Sequence, residues 1–329
     1  MAYTLLANVI VPEVFNNYMA EDSTEKSRLI RSGIAAPVAN IVVPDGGDTV
    51  NLPFWGDLDG DPQMMQSDTD ISTNKITSGK DVARVLAMAN SWGAEDLAAD
   101  LAGSDPMDRI ANRVAAYWDR AYQKVLLQQL DGMFADNIAN DSGDLVLDIS
   151  TEDVDTDGLD GHTLDGSTVI DTAQLLGDSS EALTGLMVHS KVYANMKKNN
   201  LIEFIPEASN DVGFGLYLGK YSIIVDDTLP TAAGSTSGTK YTSYLFANAA
   251  VAINEGTAKV PTEVERNAAS SKEALYSRKR AIIHPRGIKW VEGSVAGDTP
   301  TLDELALAAN HDRVYDKKNI RVVMAVTNG

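Results

Sequence analysis

The chain has 329 residues, 44% hydrophobic and 22% charged, the composition of an ordinary folded protein long enough to bury more than one core. Its 47 acidic side chains outnumber 27 basic ones, and the net charge of −20 excludes a dedicated nucleic-acid binder, though not a protein that encloses DNA without gripping it. Without a cysteine it can form no disulfide, thiol nucleophile or cysteine metal site, and no apolar run reaches the roughly 18–20 residues of a membrane span.

Residues 1–48 read as an arm and not a domain. Val9, Ile10, Val11 and Val14 open it, and the short amphipathic piece EDSTEKSRLIRSG ends at Gly33, a helix-stopping residue. The N-terminus MAYTLLANVIVPEVF has no basic n-region or cleavage site, so the chain is expected to stay cytosolic where it is made. The arm has too little apolar surface to fold alone, which leaves it docked on its own domain or laid on a neighbouring subunit.

From Thr49 the pattern changes to strands and turns. TVNLPFWGDL and ISTNKITSGKDVARVLAMANSW flank DGDPQMMQSDTD, with Asp-Gly, Asp-Pro and Ser-Gly turn signals, and predict a long two-stranded excursion. Isolated hairpins are marginal in water, so this one is expected to rest on a partner. A short acidic helix is expected over 94–101. The strongest helix prediction follows, over 104–136: Ser104 or Asp105 as cap, Pro106 in the first position, and apolar residues from Ile110 to Phe134 recurring at spacings of three and four. Only Gly132 interrupts it. At a rise of about 1.5 Å per residue it is a rod of roughly 45 Å that braces a domain.

The acidic stretch after it contains Asp153, Asp155 and Asp157 followed by Gly158, matching the first half of a calcium loop. The second half fails, with Asp160 where a hydrophobe belongs and Leu164 in place of the bidentate glutamate. These three aspartates are candidate metal ligands, against the plainer reading of a solvated acidic loop. Residues 168–230 alternate helix and strand: TVIDTAQLLG, TGLMVHS, SKVYANMKKNN capped by Ser190, and KYSIIVDDTLP, which together predict a sheet covered by helices. Asp226 and Asp227 read as a turn before Pro230, not as a phosphoryl-transfer pair. Thr231 to Thr239 reads as a surface loop of small residues.

YTSYLFANAAVAINEG predicts one more strand, and beyond it the charge reverses. From Lys259 to Glu292 eight basic residues face four acidic ones. Such a stripe is either a solvated strand face or a match for the acidic surface of another copy. The four histidines show no HExxH or paired spacing and no serine sits in a GxSxG elbow, so no catalytic constellation or cofactor site is visible. TLDELALAANHDRVYDKKNIRVVMAVTNG closes the chain with a helix and a strand from Ile320 to Val326.

In their order and spacing, LAGSDPMDRIANRVAAYWDRAYQKVLLQQLDG, MVHSKVYANMKKNNLIEF, GKYSIIVDDTLP, EVERNAASSKEALYSRKRAIIHPRGIKW and TLDELALAANHDRVYDKKNIRVV resemble the major capsid proteins of tailed bacteriophages. The resemblance covers nearly the whole chain and implies an α+β fold of the Hong Kong 97 type. Its parts would be an N-arm (1–48), an extended E-loop (49–92), a P-domain with the spine helix (93–140), an A-domain with a central sheet and flanking helices (141–257), P-domain strands (258–295) and a C-terminal segment returning to the A-domain (296–329). A long N-terminal scaffolding domain is not expected. The implied function is assembly into an icosahedral head shell enclosing the genome, with no enzyme activity and no cofactor. The implied partners are other copies in pentamers and hexamers, scaffold, portal and decoration proteins, and double-stranded DNA held without sequence-specific binding; no membrane is involved. The implied location is the virion, after assembly in the cytoplasm of the bacterial host. Glu263, Glu265, Arg278 and Arg280 become candidates for pairs between copies, and Trp55 for an apolar anchor on the E-loop. Some relatives crosslink E-loop lysines; Lys75 and Lys80 are the lysines available, and no motif marks an acceptor. The alternatives are an encapsulin-type compartment shell, which resembles the same fold, or a monomeric calcium-binding module.

Overall fold

A computed structural model describes residues 33–39, 41–58, 60–65, 67, 70–96, 106–153, 161–199, 202–203, 216–269 and 271–329. The long helix is there as α1, Pro106–Asn140, whose 35 residues span about 52 Å. The expected caps Ser104 and Asp105 lie outside the described residues, as does the arm before Gly33.

Two sheets meet on α1. The first contains β1 (Ala35–Ala36), β4 (Leu86–Glu95), β12 (Val251–Gly256), β13 (Thr262–Asn267) and the 14-residue β14 (Lys272–Pro285), ordered β1-β12-β14-β13 with β4 along the other side of β14. The N-terminal half of α1 lies on this sheet: Val114, Ala115 and Trp118 pack with Leu275, and the buried Trp118 indole donates to Ser277 Oγ at 2.9 Å. The second sheet has eight strands. Its path runs β5 (Val146–Asp148), β15 (Val322–Thr327), β11 (Thr239–Ala247), β6 (Leu183–Val188), β9 (Tyr221–Val225), β8 (Leu216–Tyr217) and β7 (Ile202–Glu203), with β10 (Thr231–Ala233) on β11. Helices α2 (Gly166–Gln174) and α3 (Ser190–Lys198) bury Val169, Ala173, Val192 and Met196 in its core. The C-terminal half of α1 reaches that same core. Phe134 stacks on Tyr244 with ring centroids 5.5 Å apart, and the Tyr244 hydroxyl donates to Asp131 at 3.0 Å. Burial raises the pKa of both partners.

Several expected elements fall differently. The single strand expected over 241–256 is two, because Ala249 adopts φ 55° and its N–H bonds the Gly33 carbonyl at 2.7 Å, so the chain changes sheets at 248–250. Ala94 and Glu95, assigned to a helix by composition, continue β4 because they pair with Glu273 and Lys272; residues 97–101 lie outside the described residues. The cap of α3 is His189, whose Nδ1 accepts from Lys191 N at 3.1 Å, so Ser190 becomes the first helical residue. The loop over 231–239 begins with β10, paired to β11. The C-terminal helix is one turn, Leu302–Leu305, held by a capping box of Thr301 and Glu304, and the last strand begins at Val322.

Gly132 does not interrupt α1. A Cβ there would collide with the Leu305 carbonyl oxygen and the His311 ring, so the glycine lets this turn and the buried His311 press onto the helix. His311 Nε2 donates to Leu305 O at 2.8 Å, its ring meets Trp290 edge-on at 5.3 Å, and burial pushes its pKa down to about 4.

Two outcomes follow from this junction. Gly132→Ala should lose about 1–3 kcal/mol in denaturant unfolding to overpacking, although alanine is favoured over glycine in a free helix by about 1 kcal/mol. The unfolded His311 imidazole takes a proton near its ordinary pKa of 6.5, while the folded one resists until about 4. Stability from this group is therefore complete above pH 6.5 and is lost as pH falls toward 4, by about 3 kcal/mol at one to one-and-a-half kcal/mol per unit. Melting curves from pH 7 to 4.5 should flatten in His311→Gln; an unchanged pH slope would show that another group sets it.

Candidate assembly surfaces

The excursion expected after Thr49 is a hairpin of β2 (Thr49–Trp55) and β3 (Ser78–Arg84), antiparallel from Thr49↔Arg84 to Trp55↔Ser78. Alternation along β2 sends Phe54 and Trp55 to opposite faces. Phe54 turns inward, edge-on to Tyr315 at 4.8 Å, and lies across Gly79, where any side chain would meet its ring. Trp55 turns outward and is 72% exposed. Beyond it Leu58, Met64, Met65 and Ile71 are also exposed, the two methionines at 82%. Large apolar side chains are thus held in water on a two-stranded arm, a form that is marginal in isolation. The hairpin ends earlier than expected. After Arg84, Val85 N bonds Asp48 O at 2.7 Å, and Leu86–Glu95 joins the five-stranded sheet as β4.

The root of the hairpin is locked by buried charge. Asp81, 2% exposed, accepts from His284 Nε2 at 3.0 Å through both carboxylate oxygens and from Gly287 N at 3.1 Å. Three residues on, the buried Arg84 guanidinium binds Asp48 Oδ2 at 2.8 Å, the Glu292 carboxylate and the Asp298 carbonyl oxygen. Beside these polar ties Ala83 and Val85 pack with Ile41, Ala252 and Ile282. Hairpin, arm root and long sheet are thereby fixed to one another. Sequence reading missed this lock: Asp81 and His284 are 203 positions apart and carry no motif.

Half of the basic stripe is ion-paired inside the chain. Arg278 pairs with Glu263 at 3.1 Å, the Tyr276 hydroxyl donates to Glu265 at 2.9 Å, and Arg280 donates to the carbonyl oxygens of Asp45 at 3.0 Å and Gly47 at 3.2 Å. The reason is register. Glu263 sits opposite Tyr276 on paired strands, diagonal to Arg278, so the charges meet across one hairpin before any neighbour arrives. Of the four residues expected to pair between copies, Arg278 and Glu263 bind each other within the chain, while Glu265 meets a tyrosine hydroxyl and Arg280 two carbonyl oxygens. Arg266 likewise binds Asp96 at 2.7 Å and Glu273, and Lys279 reaches Glu255 at 3.3 Å.

Of the calcium-loop candidates, Asp153 accepts from Ser237 Oγ at 3.0 Å, while Asp155 and Asp157 lie outside the described residues. Among the described residues no three histidine, aspartate or glutamate side chains gather as a metal site. Asp226 accepts from Thr228 N at 2.9 Å and Asp227 from Ser190 N at 3.1 Å, the work of turn and helix-start carboxylates.

No family model matches the chain. It is 42% identical over 328 residues, 98% of each chain, to the major capsid protein of Bacillus phage SPP1. Among solved structures it is similar in fold to the capsid of Ralstonia phage GP4, at TM-score 0.58 and 12% identity over 93% of this chain and 92% of that one. The cyanophage Pam1 capsid asymmetric unit gives TM-score 0.56 at 12% identity, over 92% and 93%.

Asp81→Ala should cost about 3–5 kcal/mol in equilibrium unfolding, because it strands the buried His284 and the Gly287 N–H without an acceptor. A loss under about 1 kcal/mol would show that the root does not depend on this pair.

Proposed function

Because the chain belongs to the major capsid proteins of tailed bacteriophages, we propose how its parts divide the work of building a shell. It is the coat protein of a phage virion, with the Hong Kong 97-type fold, and copies of it assemble into the head shell. In our reading residues 1–48 are the N-arm, the hairpin up to Arg84 is the E-loop, α1 with the five-stranded sheet is the P-domain, and the eight-stranded sheet with α2 and α3 is the A-domain. Pentamers and hexamers close the shell through heterologous contacts. Scaffold and portal proteins act during assembly in the host cytoplasm, decoration proteins sit outside, and the acidic wall encloses double-stranded DNA without binding its sequence.

The observation that supports this division best is the hairpin: rigid at its root and apolar in water at its tip, it is complete only against another subunit. Trp55 is the anchor in that contact. Arg278, Glu263, Glu265 and Arg280, already satisfied within the chain, act by holding the P-domain surface in shape, with their exposed edges left for neighbours.

The test is to express the full chain and follow it by size exclusion and negative-stain electron microscopy. Closed particles or rings of five or six subunits are the expected outcome, and a monomer at every concentration and salt, even with its scaffold supplied, would overturn the assignment of parts. Trp55→Ser combined with Met64→Ser should leave the subunit melting temperature within about 1 °C, since surface changes are small in stability. Shell yield should fall several-fold. Undiminished yield would remove the hairpin tip from the interface.

A further inference from the structure

The exposed side of α1 carries a row of cations. Arg113, Tyr117, Arg120 and Lys124 recur at spacings of four, three and four, so they form one stripe along the helix. Arg113, Arg120 and Lys124 are exposed and make no hydrogen bond or ion pair among the described residues, whereas Arg84, Arg266, Arg278 and Arg313 are ion-paired within the chain. From Arg113 to Lys124 the row measures about 16 Å. It runs along a groove made of a cavity of about 540 Å³ between β4, α1 and the Leu302 turn, one of about 280 Å³ beside Trp92 and one of about 460 Å³ beside Leu127, all sharing Arg120. Among the described residues the one carboxylate on their walls is Asp131, which is engaged by Tyr244.

On a protein of charge −20, three unpaired cations in a row with no anion competing for them select a polyanion. Charges of one sign along low-dielectric walls focus the field outward and raise the local concentration of such a partner. The apolar surface decides which polyanion fits. Met88, Trp92, Ile110 and Tyr117 around the groove are all partly buried, and none belongs with the large exposed apolar side chains. An acidic amphipathic helix seats itself on exposed apolar anchors of the kind the hairpin tip displays, so it gains little here. A phosphate backbone needs none. It is held by positioned cations, and the planar forks of two arginines match phosphate oxygens two at a time. Three contacts are few beside the roughly 6–10 of a strongly salt-dependent DNA binder, so each subunit holds a duplex loosely.

We propose that Arg113, Arg120 and Lys124 contact the sugar-phosphate backbone of the double-stranded DNA inside the shell, which requires the outer side of α1 to face the lumen. The contact carries no sequence information, because no base edge is read. It sets one weak attachment row per subunit into a wall that is otherwise repulsive, so the duplex is spaced by the general acidity and steadied at regular points. This deepens the assembly reading above and rests on it.

Lys124 is the reporter, since acetylation of its amine is followed residue by residue in a mass spectrometer. DNA-filled heads built from the full chain are treated with a water-soluble acetylating reagent, beside the same heads after release of their DNA. Lys124 should react at least fivefold more slowly in the filled heads, while Lys75 on the hairpin changes less than twofold. The protection should shrink as salt is raised from about 0.1 to about 1 M, because salt competes for the phosphates. In heads carrying Arg113→Gln with Arg120→Gln it should fall at least twofold; if that variant builds no heads, the salt series on the unaltered chain still decides. Equal Lys124 rates in filled and emptied heads, or protection indifferent to salt, would overturn the contact and leave the capsid reading intact, since the heads themselves are the sample. Protection found instead in DNA-free precursors that hold another assembly protein would assign the stripe to a protein partner and end the proposal.

Discussion

Everything in this subunit hangs on one helix being shared by two cores. The first half of α1 is held to the long sheet by Trp118 on Ser277 and Leu275, and the second half enters the main core through Phe134 and Tyr244. Each large apolar side chain so buried contributes about 1.5–3 kcal/mol, and because they lie on a single rigid rod the two sheets cannot move independently. A shell subunit has to transmit stress from its neighbours without deforming. A helix of 35 residues meets that need better than a flexible connection, and Gly132 permits it by letting a backbone carbonyl and a buried imidazole touch the rod where a methyl group would push them away.

The hairpin shows the complementary solution. A two-stranded arm has no core to fix its direction, so the direction is set at its root by groups that are costly to disturb. Replacing the Asp81–His284 pair by apolar residues of similar volume could be neutral for stability, yet it would remove the directionality that hydrogen bonds to both carboxylate oxygens impose. Arg84 adds a second constraint from a different side, drawing in Asp48, Glu292 and Asp298. The buried polar network therefore orients the hairpin, and the exposed apolar tip supplies the contact.

How much of this could be read from sequence follows from how local each signal is. The helix was legible to within four residues at its C-terminus because it is long, amphipathic and opened by Pro106. The hairpin was legible from its turn residues, and the order of the segments led to the family. What escaped was set by distant partners. Ala94 and Glu95 are strand only because β14 lies beside them, Asn248 to Ala250 break a strand because Gly33 binds the turn, and Arg278 meets Glu263 because of register. The stripe of Arg113, Arg120 and Lys124 was present in the sequence but went unread, since periodicity draws attention to the buried face of a helix and says little about which surface charges find partners.

Charge is where these threads meet. A subunit at −20 repels its own copies, and a shell forms only if the contact surfaces offset that repulsion locally. The basic strand stripe cannot do so alone, since Glu263, Glu255, Glu273 and Asp312 pair with half of its eight cations within the chain, and pairs on such a surface contribute roughly 1 kcal/mol or less. That leaves attraction to apolar surface and to whatever cations stay uncompensated. Among the described residues, large exposed apolar side chains gather on the hairpin tip, and Arg113, Arg120 and Lys124 on the outer face of α1 are among the cations without an ion pair, at a separate place on the subunit. The apolar tip suits a heterologous interface, in which each copy gives one surface and receives another, and such interfaces close into rings and shells, while on our proposal the α1 cations are left for the enclosed phosphates. The fold thus keeps its general acidity for spacing and solubility, and confines adhesion to a few sites whose geometry the helix and the hairpin root hold fixed.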